Sequence, residues 1–299
     1  MMGGMTAAPR TPGTVAVPGA VLSFDVVGDL AGTTPDAPPL VLAGSPMDST
    51  GFGSLAARLD DRVLVLTDPR NTGRSTRDDA AAAVTPQQHA EDLHALVAAL
   101  GVGPVDVFAS SGAAVNFLHL LAAHPDDVRL LVAHEPPMAG LLPDADAIAR
   151  ACDDMVAAYD ASGQGPAMAR FIALVSHRGP LTGDEPAPDP AAFGLPTEDD
   201  GSRDDPLMAN IRGAGVISVP DLEAVRAAST RVVVGVGEES GGPDDGEIAG
   251  RAAHAVARAL GQEPVVFPGG HGGFLGGEFG QTGVPDEFAA RLREVLATR

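Results

Sequence analysis

The sequence predicts one α/β domain built on a mostly parallel, doubly wound sheet, with a helical cap or lid inserted between two of its strands. Short continuous apolar runs, typical of strands buried on both faces, alternate with segments of helical periodicity. This alternation stops over residues 138–220 and then resumes, which is typical of an insertion into one sheet. A chain of 299 residues with 44% hydrophobic content is large enough to bury the core of such a domain.

Residues 14–137 form the first part of the predicted core. Two β-rich runs, 14–17 and 21–27, flank the turn pair Pro18-Gly19 and predict a hairpin. Further strands are predicted at 39–43, 62–67, 105–108 and 128–133, and helices at 52–59, 85–100 and 112–123. Residues 1–13 lack a basic region followed by an apolar run, so they predict a disordered tail rather than a signal peptide.

The helix that begins after Thr85 is the most clearly marked one. Thr85 is a favourable N-cap, Pro86 stands at the first helical position, and Gln88 completes a capping box. His89 and His94 lie on this amphipathic helix and are expected at the protein surface.

The inserted segment and the end of the chain follow the same reasoning. Within 138–220, helices are predicted at 145–159 and 165–176, and the Pro-, Asp- and Gly-rich stretch 179–206 predicts an exposed loop. The core resumes over 221–299, with strands at 232–236 and 264–267 and helices at 221–228, 246–260 and 285–297.

Composition limits the partners and the compartment. The formal net charge is -21 and every basic side chain is Arg, so neither nucleic acid nor an anionic membrane is an expected partner. The single cysteine, Cys152, cannot form an internal disulfide, which favours a cytoplasmic location. No metal-ligand spacing and no phosphate-binding glycine motif occurs, so neither a metal nor a cofactor is expected, while the oligomeric state is left open.

Ser111 is the candidate nucleophile. It stands between a predicted strand and a predicted helix, with only small residues around it: Ala109, Ser110, Gly112 and Ala113. Such a tight turn lifts a hydroxyl above the sheet edge and places the helix N-terminus behind it, where backbone N–H groups can stabilise an oxyanion. The usual G-x-S-x-G pattern has alanine at both glycine positions here, and a simple N-cap serine is the alternative.

His271 is the candidate general base. It follows the last predicted strand in the run Pro268-Gly269-Gly270-His271-Gly272-Gly273, a composition typical of a loop rather than of a packed core. Sites in doubly wound sheets form beyond the carboxyl ends of the strands, so this imidazole is expected to reach Ser111.

Together these residues resemble the α/β-hydrolase superfamily over nearly the whole chain. The order of serine, acid and histidine matches, and the segments 40–45 and 68–75 resemble the oxyanion-hole strand and the D-x-R-G-x-G-x-S loop, with Asn71 in place of a glycine. The resemblance implies that the backbone N–H groups of Ser45 and Gly112 hold the oxyanion, and it places the cap at 138–220.

The triad acid stays open between two carboxylates. The family usually carries its acid after the strand at 232–236, where Ser240 stands and Glu239 is adjacent. Some members carry it after the preceding strand, where Glu135 is followed by two prolines. Glu135 and Glu239 are equally favoured, with Asp244 a distant third.

The resemblance implies a serine hydrolase that acts on an ester or similar carbonyl of a small apolar substrate through an acyl-enzyme. Five residues are expected to line the pocket: Met47, Phe52, His134, Met138 and Phe274. Alternatives are a non-hydrolytic enzyme of the same fold (perhydrolase or haloperoxidase-like chemistry, acyl transfer, a lyase or a cyclase) and a non-catalytic ligand-binding protein. Dehalogenase and epoxide hydrolase chemistry is disfavoured, because it requires an aspartate in place of Ser111.

Overall fold

A computed structural model describes residues 10–298 and places nine strands in one mixed sheet. The strands are β1 (Arg10–Val17), β2 (Ala20–Val27), β3 (Leu40–Ala43), β4 (Leu64–Asp68), β5 (Thr76–Arg77), β6 (Val105–Ser110), β7 (Val128–His134), β8 (Arg231–Gly237) and β9 (Val265–Phe267). Their order is β1-β2-β4-β3-β6-β7-β8-β9, with β5 paired to β2. The pairings of β2 are antiparallel and all others are parallel, so the predicted α/β class is confirmed.

Helices cover both faces of the sheet. They are α1 (Gly53–Ala56), α2 (Pro86–Leu100), α3 (Gly112–Ala123), α4 (Ala145–Ser162), α5 (Gln164–Ser176), α6 (Pro206–Arg212), α7 (Leu222–Ala227), α8 (Ile248–Ala259) and α9 (Pro285–Ala297). Residues of α2, α3 and α8 pack in one apolar cluster on the sheet, and residues of α1 and α9 pack in another. No helix within residues 10–298 combines the length and the apolar character needed to cross a bilayer.

The start of the chain differs from the prediction of a disordered tail over 1–13. Residues 10–13 belong to β1, where Arg10 pairs with Val27 and Gly13 pairs with Phe24. The ring of Phe24 lies where a side chain at position 13 would stand, so glycine lets the two strands pack at this point. Residues 1–9 of the predicted tail lie outside the described residues.

The loop over residues 68–75 is held by its own polar groups. Asn71 has a φ of 59°, a conformation that favours glycine and that asparagine tolerates better than most residues. Arg70 donates to Asp92 of α2 at 2.9 Å, and the Ser75 hydroxyl donates to the Asp68 carbonyl at 2.7 Å. The loop therefore braces β4 against α2.

The inserted segment lies between β7 and β8. Its helices α4, α5 and α6 share a separate apolar cluster that includes Met155, Tyr159 and Met208. The helix α6 was not predicted, because only seven residues separate Asp205 from Gly213 and they follow a stretch rich in Asp and Pro. The Asp205 carboxylate caps α6 by accepting hydrogen bonds from the backbone N–H groups of Leu207 and Met208, and Pro206 occupies the first turn of the helix.

A buried ion pair joins this segment to the core. Arg251 of α8 is 1% exposed and donates to Asp144, which precedes α4, at 3.1 Å and to the Gly179 carbonyl at 2.9 Å. The Leu181 N–H also donates to Asp144 at 2.8 Å. These contacts tie three separate parts of the chain together.

Breaking this pair should destabilise the protein strongly. In Arg251→Met the Asp144 carboxylate stays buried without its cation, so we expect the free energy of unfolding to fall by about 3–5 kcal/mol. Urea denaturation measures this change. The control is Arg226→Met, which removes an exposed ion pair with Glu223 and should cost about 1 kcal/mol or less. Equal midpoints for the two variants would contradict the structural role of Arg251.

Candidate active site

Ser111 occupies a strained turn between β6 and α3. Its φ of 59° and ψ of -131° lie in a region that residues with a side chain rarely adopt. The Ser111 N–H donates to the His134 carbonyl at 3.0 Å, and the Ser111 carbonyl accepts from the Ala114 N–H at 2.9 Å. Ala109 and Ala113 are buried on either side, so alanine is small enough for this turn. The serine itself is only half-buried.

Glu135 and His271 form a hydrogen-bonded pair at the same edge of the sheet. Glu135 directly follows β7, and its Oε2 lies 2.6 Å from Nδ1 of His271, which follows β9. Its other oxygen, Oε1, accepts from the Gly237 N–H at 2.8 Å. The carboxylate is fully buried, while 40% of the His271 side chain remains exposed. The backbone thus fixes the carboxylate, and the carboxylate orients the imidazole.

The pair shifts the pKa of both partners. Burial raises the pKa of Glu135, but its hydrogen bond to His271 and the charge of that ring outweigh burial and lower the pKa overall. Burial lowers the pKa of His271, but the hydrogen bond to Glu135 and its negative charge outweigh burial and raise the pKa above its usual 6.5. The pair therefore favours an ionised carboxylate and stabilises the imidazolium.

Glu239, the other carboxylate proposed as the acid, does not meet His271. It lies in the exposed turn after β8, where its N–H donates to the Gly269 carbonyl at 3.1 Å. Asp244 is likewise exposed. Ser240, at the position where the family usually carries its acid, is 1% exposed and lies beside Glu135. The small side chain of Ser240 leaves room for the side chain of Glu135, which follows β7.

Ser45 and Gly112 lie together beside Ser111. A Cβ atom on Gly112 would stand 2.8 Å from the Ser45 carbonyl oxygen, so only glycine permits this approach. Within residues 10–298 neither the Ser45 nor the Gly112 backbone N–H donates a hydrogen bond to another protein group. Both residues line the same cavity as Ser111. Their amides are thus available to a negatively charged oxygen.

One cavity of about 420 Å³ brings these groups together. Ser111 and His271 both line it, although they follow strands that are three places apart in the sheet. The inserted segment supplies most of its apolar wall: Cys152, Phe171, Ile172, Leu174, Val175, Leu207, Ile211 and Val216. The cavity thus lies between the sheet edge and the insertion.

The five residues predicted to line the pocket do not line this cavity, so that prediction is wrong. Phe52 and Phe274 stack with centroids 5.4 Å apart in the core, and Met138 is fully buried. His134 is fully buried among aromatic rings beneath the site, and burial lowers its pKa to about 4. Met47 packs between the backbones of residues 44 and 51. These side chains are close in sequence to the site residues, but they are buried in the core instead of facing the cavity.

The polar residues of the cavity that were not predicted include Asn210, His89 and Glu247. Asn210 of α6 donates to the Ser45 hydroxyl at 3.1 Å, and its oxygen accepts from Nε2 of His89 at 2.9 Å. His89 is 5% exposed rather than at the surface, and burial lowers its pKa. Glu247 lies directly before α8. None of them stands in a motif, and Asn210 lies on the helix that the sequence did not reveal.

Solved structures of known proteins share this fold. An alpha/beta hydrolase enzyme from a deep-sea metagenome, MGS-M2, is 15% identical, with a TM-score of 0.65 over 94% of this chain and 96% of that one. The protein has the α/β-hydrolase fold. A thermophilic esterase from Thermogutta terrifontis has the same α/β-hydrolase architecture as this chain, with 21% identity and a TM-score of 0.61 over 97% of both chains.

Comparison of sequences finds less similarity than comparison of structures. No family model matches the chain. An uncharacterized hydrolase of Bacillus subtilis, YraK, is 32% identical over 133 residues, which cover 44% of this chain and 46% of that protein. The matched region thus spans a little under half of the relative.

Proposed function

We propose that the protein is a serine hydrolase that cleaves an ester or similarly activated carbonyl compound through an acyl-enzyme on Ser111. One observation carries the proposal: the Glu135–His271 pair opens onto the same cavity as the strained serine. The strained backbone at Ser111 and the buried charge of Glu135 each lower the stability of the fold, and the exposed ring of His271 is held in one orientation. Nucleophilic catalysis makes use of all three features.

The mechanism follows from the roles of the two ring nitrogens. Because Nδ1 of His271 is bound to Glu135, Nε2 is the nitrogen free to take the Ser111 proton as the hydroxyl attacks the carbonyl carbon. The Ser45 and Gly112 amides stabilise the resulting oxyanion. Collapse of the tetrahedral intermediate expels the alcohol, which takes its proton from His271, and leaves the acyl group on Ser111.

The second half of the reaction uses the same groups. His271 removes a proton from water, the hydroxide attacks the acyl carbon, and the serine leaves with the proton returned by the ring. The chemistry needs no cofactor. The mostly apolar cavity favours a small organic ester, and the single cysteine favours action in the reducing cytoplasm.

A fluorophosphonate probe tests the proposal directly. We expect a covalent adduct on Ser111, located by mass spectrometry of the digested protein, because the probe reacts with a serine that an imidazole activates. The adduct should be lost in His271→Ala, in which the serine remains but its base is gone.

Two controls give the result its meaning. Ser110→Ala keeps the nucleophile and should still be labelled, which excludes reaction at the neighbouring hydroxyl. Circular dichroism establishes that each variant is folded. A folded wild-type protein that takes up no probe and hydrolyses no aryl ester would contradict the proposed function and favour a ligand-binding protein.

A further inference from the structure

The cavity wall carries one carboxylate that the proposed mechanism does not use. Glu247 directly precedes α8, and Glu247, Ile248 and Ala249 line the cavity together with Ser111 and His271. The Glu247 side chain is 33% exposed, so two thirds of it are withdrawn from solvent. A carboxylate in the wall of a mostly apolar cavity is costly to desolvate unless a cation pairs with it.

Within the described part of the chain, Glu247 is weakly partnered. The nearest cation is Arg178, whose Nη1 lies 3.8 Å from Oε1, too far for a hydrogen bond. Arg178 is half exposed and does not line the cavity, so solvent screens its charge. No residue between 10 and 298 donates a hydrogen bond to the Glu247 carboxylate, which also does not cap α8.

The rest of the cavity does not balance this charge. Among the lining residues within 10–298 there is no arginine, and the only other ionisable side chains besides Cys152 are His89 and His271. Burial lowers the pKa of His89 and keeps it neutral, while His271 is already paired with Glu135. The cavity therefore presents a net negative potential to a ligand, in a protein whose formal charge is -21.

We propose that Glu247 selects substrates by charge: the cavity accepts esters that are neutral or carry an ammonium group and rejects esters that carry a carboxylate. This inference rests on the proposed function. An ammonium group in the cavity supplies the cation that Glu247 lacks. The carboxylate of an anionic ester is repelled by the like charge of Glu247, and the apolar side chains around it supply no cation to offset the repulsion.

Three matched substrates test the proposal. They are p-nitrophenyl esters of one acyl length whose chain ends in a methyl, a trimethylammonium or a carboxylate group. For the wild-type protein we expect kcat/KM for the cationic ester to exceed that for the carboxylate ester by about tenfold or more, from Coulomb interaction at close range. Repeating the assay in 0.5 M salt screens the long-range field of the whole protein and leaves the local contribution.

Glu247→Gln should bring the cationic-to-carboxylate ratio close to one. Glu247→Ser, which is also neutral and favourable before a helix, should do the same and guards against a folding defect in the first variant. Glu238→Gln is the matched control, because Glu238 is exposed, does not line the cavity, and loses the same formal charge. Its ratio should equal that of the wild type.

Two outcomes overturn the inference alone: neutral esters are hydrolysed but the ratio is unchanged in both Glu247 variants, or the carboxylate ester is the best wild-type substrate. If no ester is hydrolysed and the fluorophosphonate leaves Ser111 unlabelled, the proposed function itself fails. The two failures are therefore distinguishable.

Discussion

Glu135→Gln is expected to lower kcat by about 10⁴-fold, the loss seen when the acid of a serine triad becomes an amide and the histidine adopts the wrong tautomer. The amide is the same size, so the contact with the Gly237 N–H can persist through the side-chain oxygen. What is lost is the negative charge that stabilises the imidazolium. Initial rates on a p-nitrophenyl ester measure the effect.

The matched variant is Glu239→Gln. Glu239 is exposed and its carboxylate does not contact His271, so its loss should leave turnover close to that of the wild type. The reverse result, a large loss in Glu239→Gln and a small one in Glu135→Gln, would show that the loop after β8 supplies the acid during catalysis.

The pH profile gives an independent reading of the same pair. His271 must be neutral to accept the serine proton, and Glu135 raises its pKa above 6.5. Activity should therefore rise with pH through a midpoint above 6.5, as the imidazolium loses its proton. In Glu135→Gln the larger of the two carboxylate charges that raise the pKa of His271 is gone and only that of Glu247 remains, so the residual activity should show a midpoint at lower pH. An unchanged midpoint would mean that Glu135 does not act on His271.

The location of Ser111 and His271 at one edge of the sheet was predictable from sequence, because each of them follows a strand of the parallel part of the sheet. A small-residue turn after a buried strand and a glycine-flanked histidine after the last strand must both lie at the carboxyl edge of a parallel sheet. The acid was not fixed by the same rule, since Glu135 and Glu239 follow neighbouring strands. The choice depends on local backbone, in which Glu135 has a φ of 48° and the turn after β8 directs Glu239 into solvent.

The pocket residues were predicted poorly for a physical reason. Phe52 and Phe274 are close in sequence to the predicted site, but each is a large apolar side chain that the core buries completely or nearly so. Much of the cavity wall comes instead from α5 and α6, whose positions are set by tertiary packing against α4 and α8. No sequence motif in the inserted segment indicates which face of α5 or α6 lines the cavity.

Substitution of Ser111 is expected to abolish turnover and, with the right replacement, to stabilise the fold. If Ser111 is the nucleophile, as proposed, its removal should lower kcat by about 10⁶-fold in both Ser111→Ala and Ser111→Gly, the loss measured when a serine protease loses its nucleophile. The two variants should differ in stability. Alanine keeps a Cβ atom at φ 59° and ψ -131°, whereas glycine adopts this conformation with little steric cost.

The backbone strain at such a position is on the order of 1–3 kcal/mol, and glycine loses roughly 0.5–1 kcal/mol more conformational freedom on folding than alanine. Ser111→Gly should therefore unfold at a higher urea concentration than Ser111→Ala. The control pair is Ala113→Gly against wild type, two residues later inside α3, where glycine has no strain to relieve and should destabilise. If glycine destabilises at both positions, the turn at Ser111 is not strained in solution.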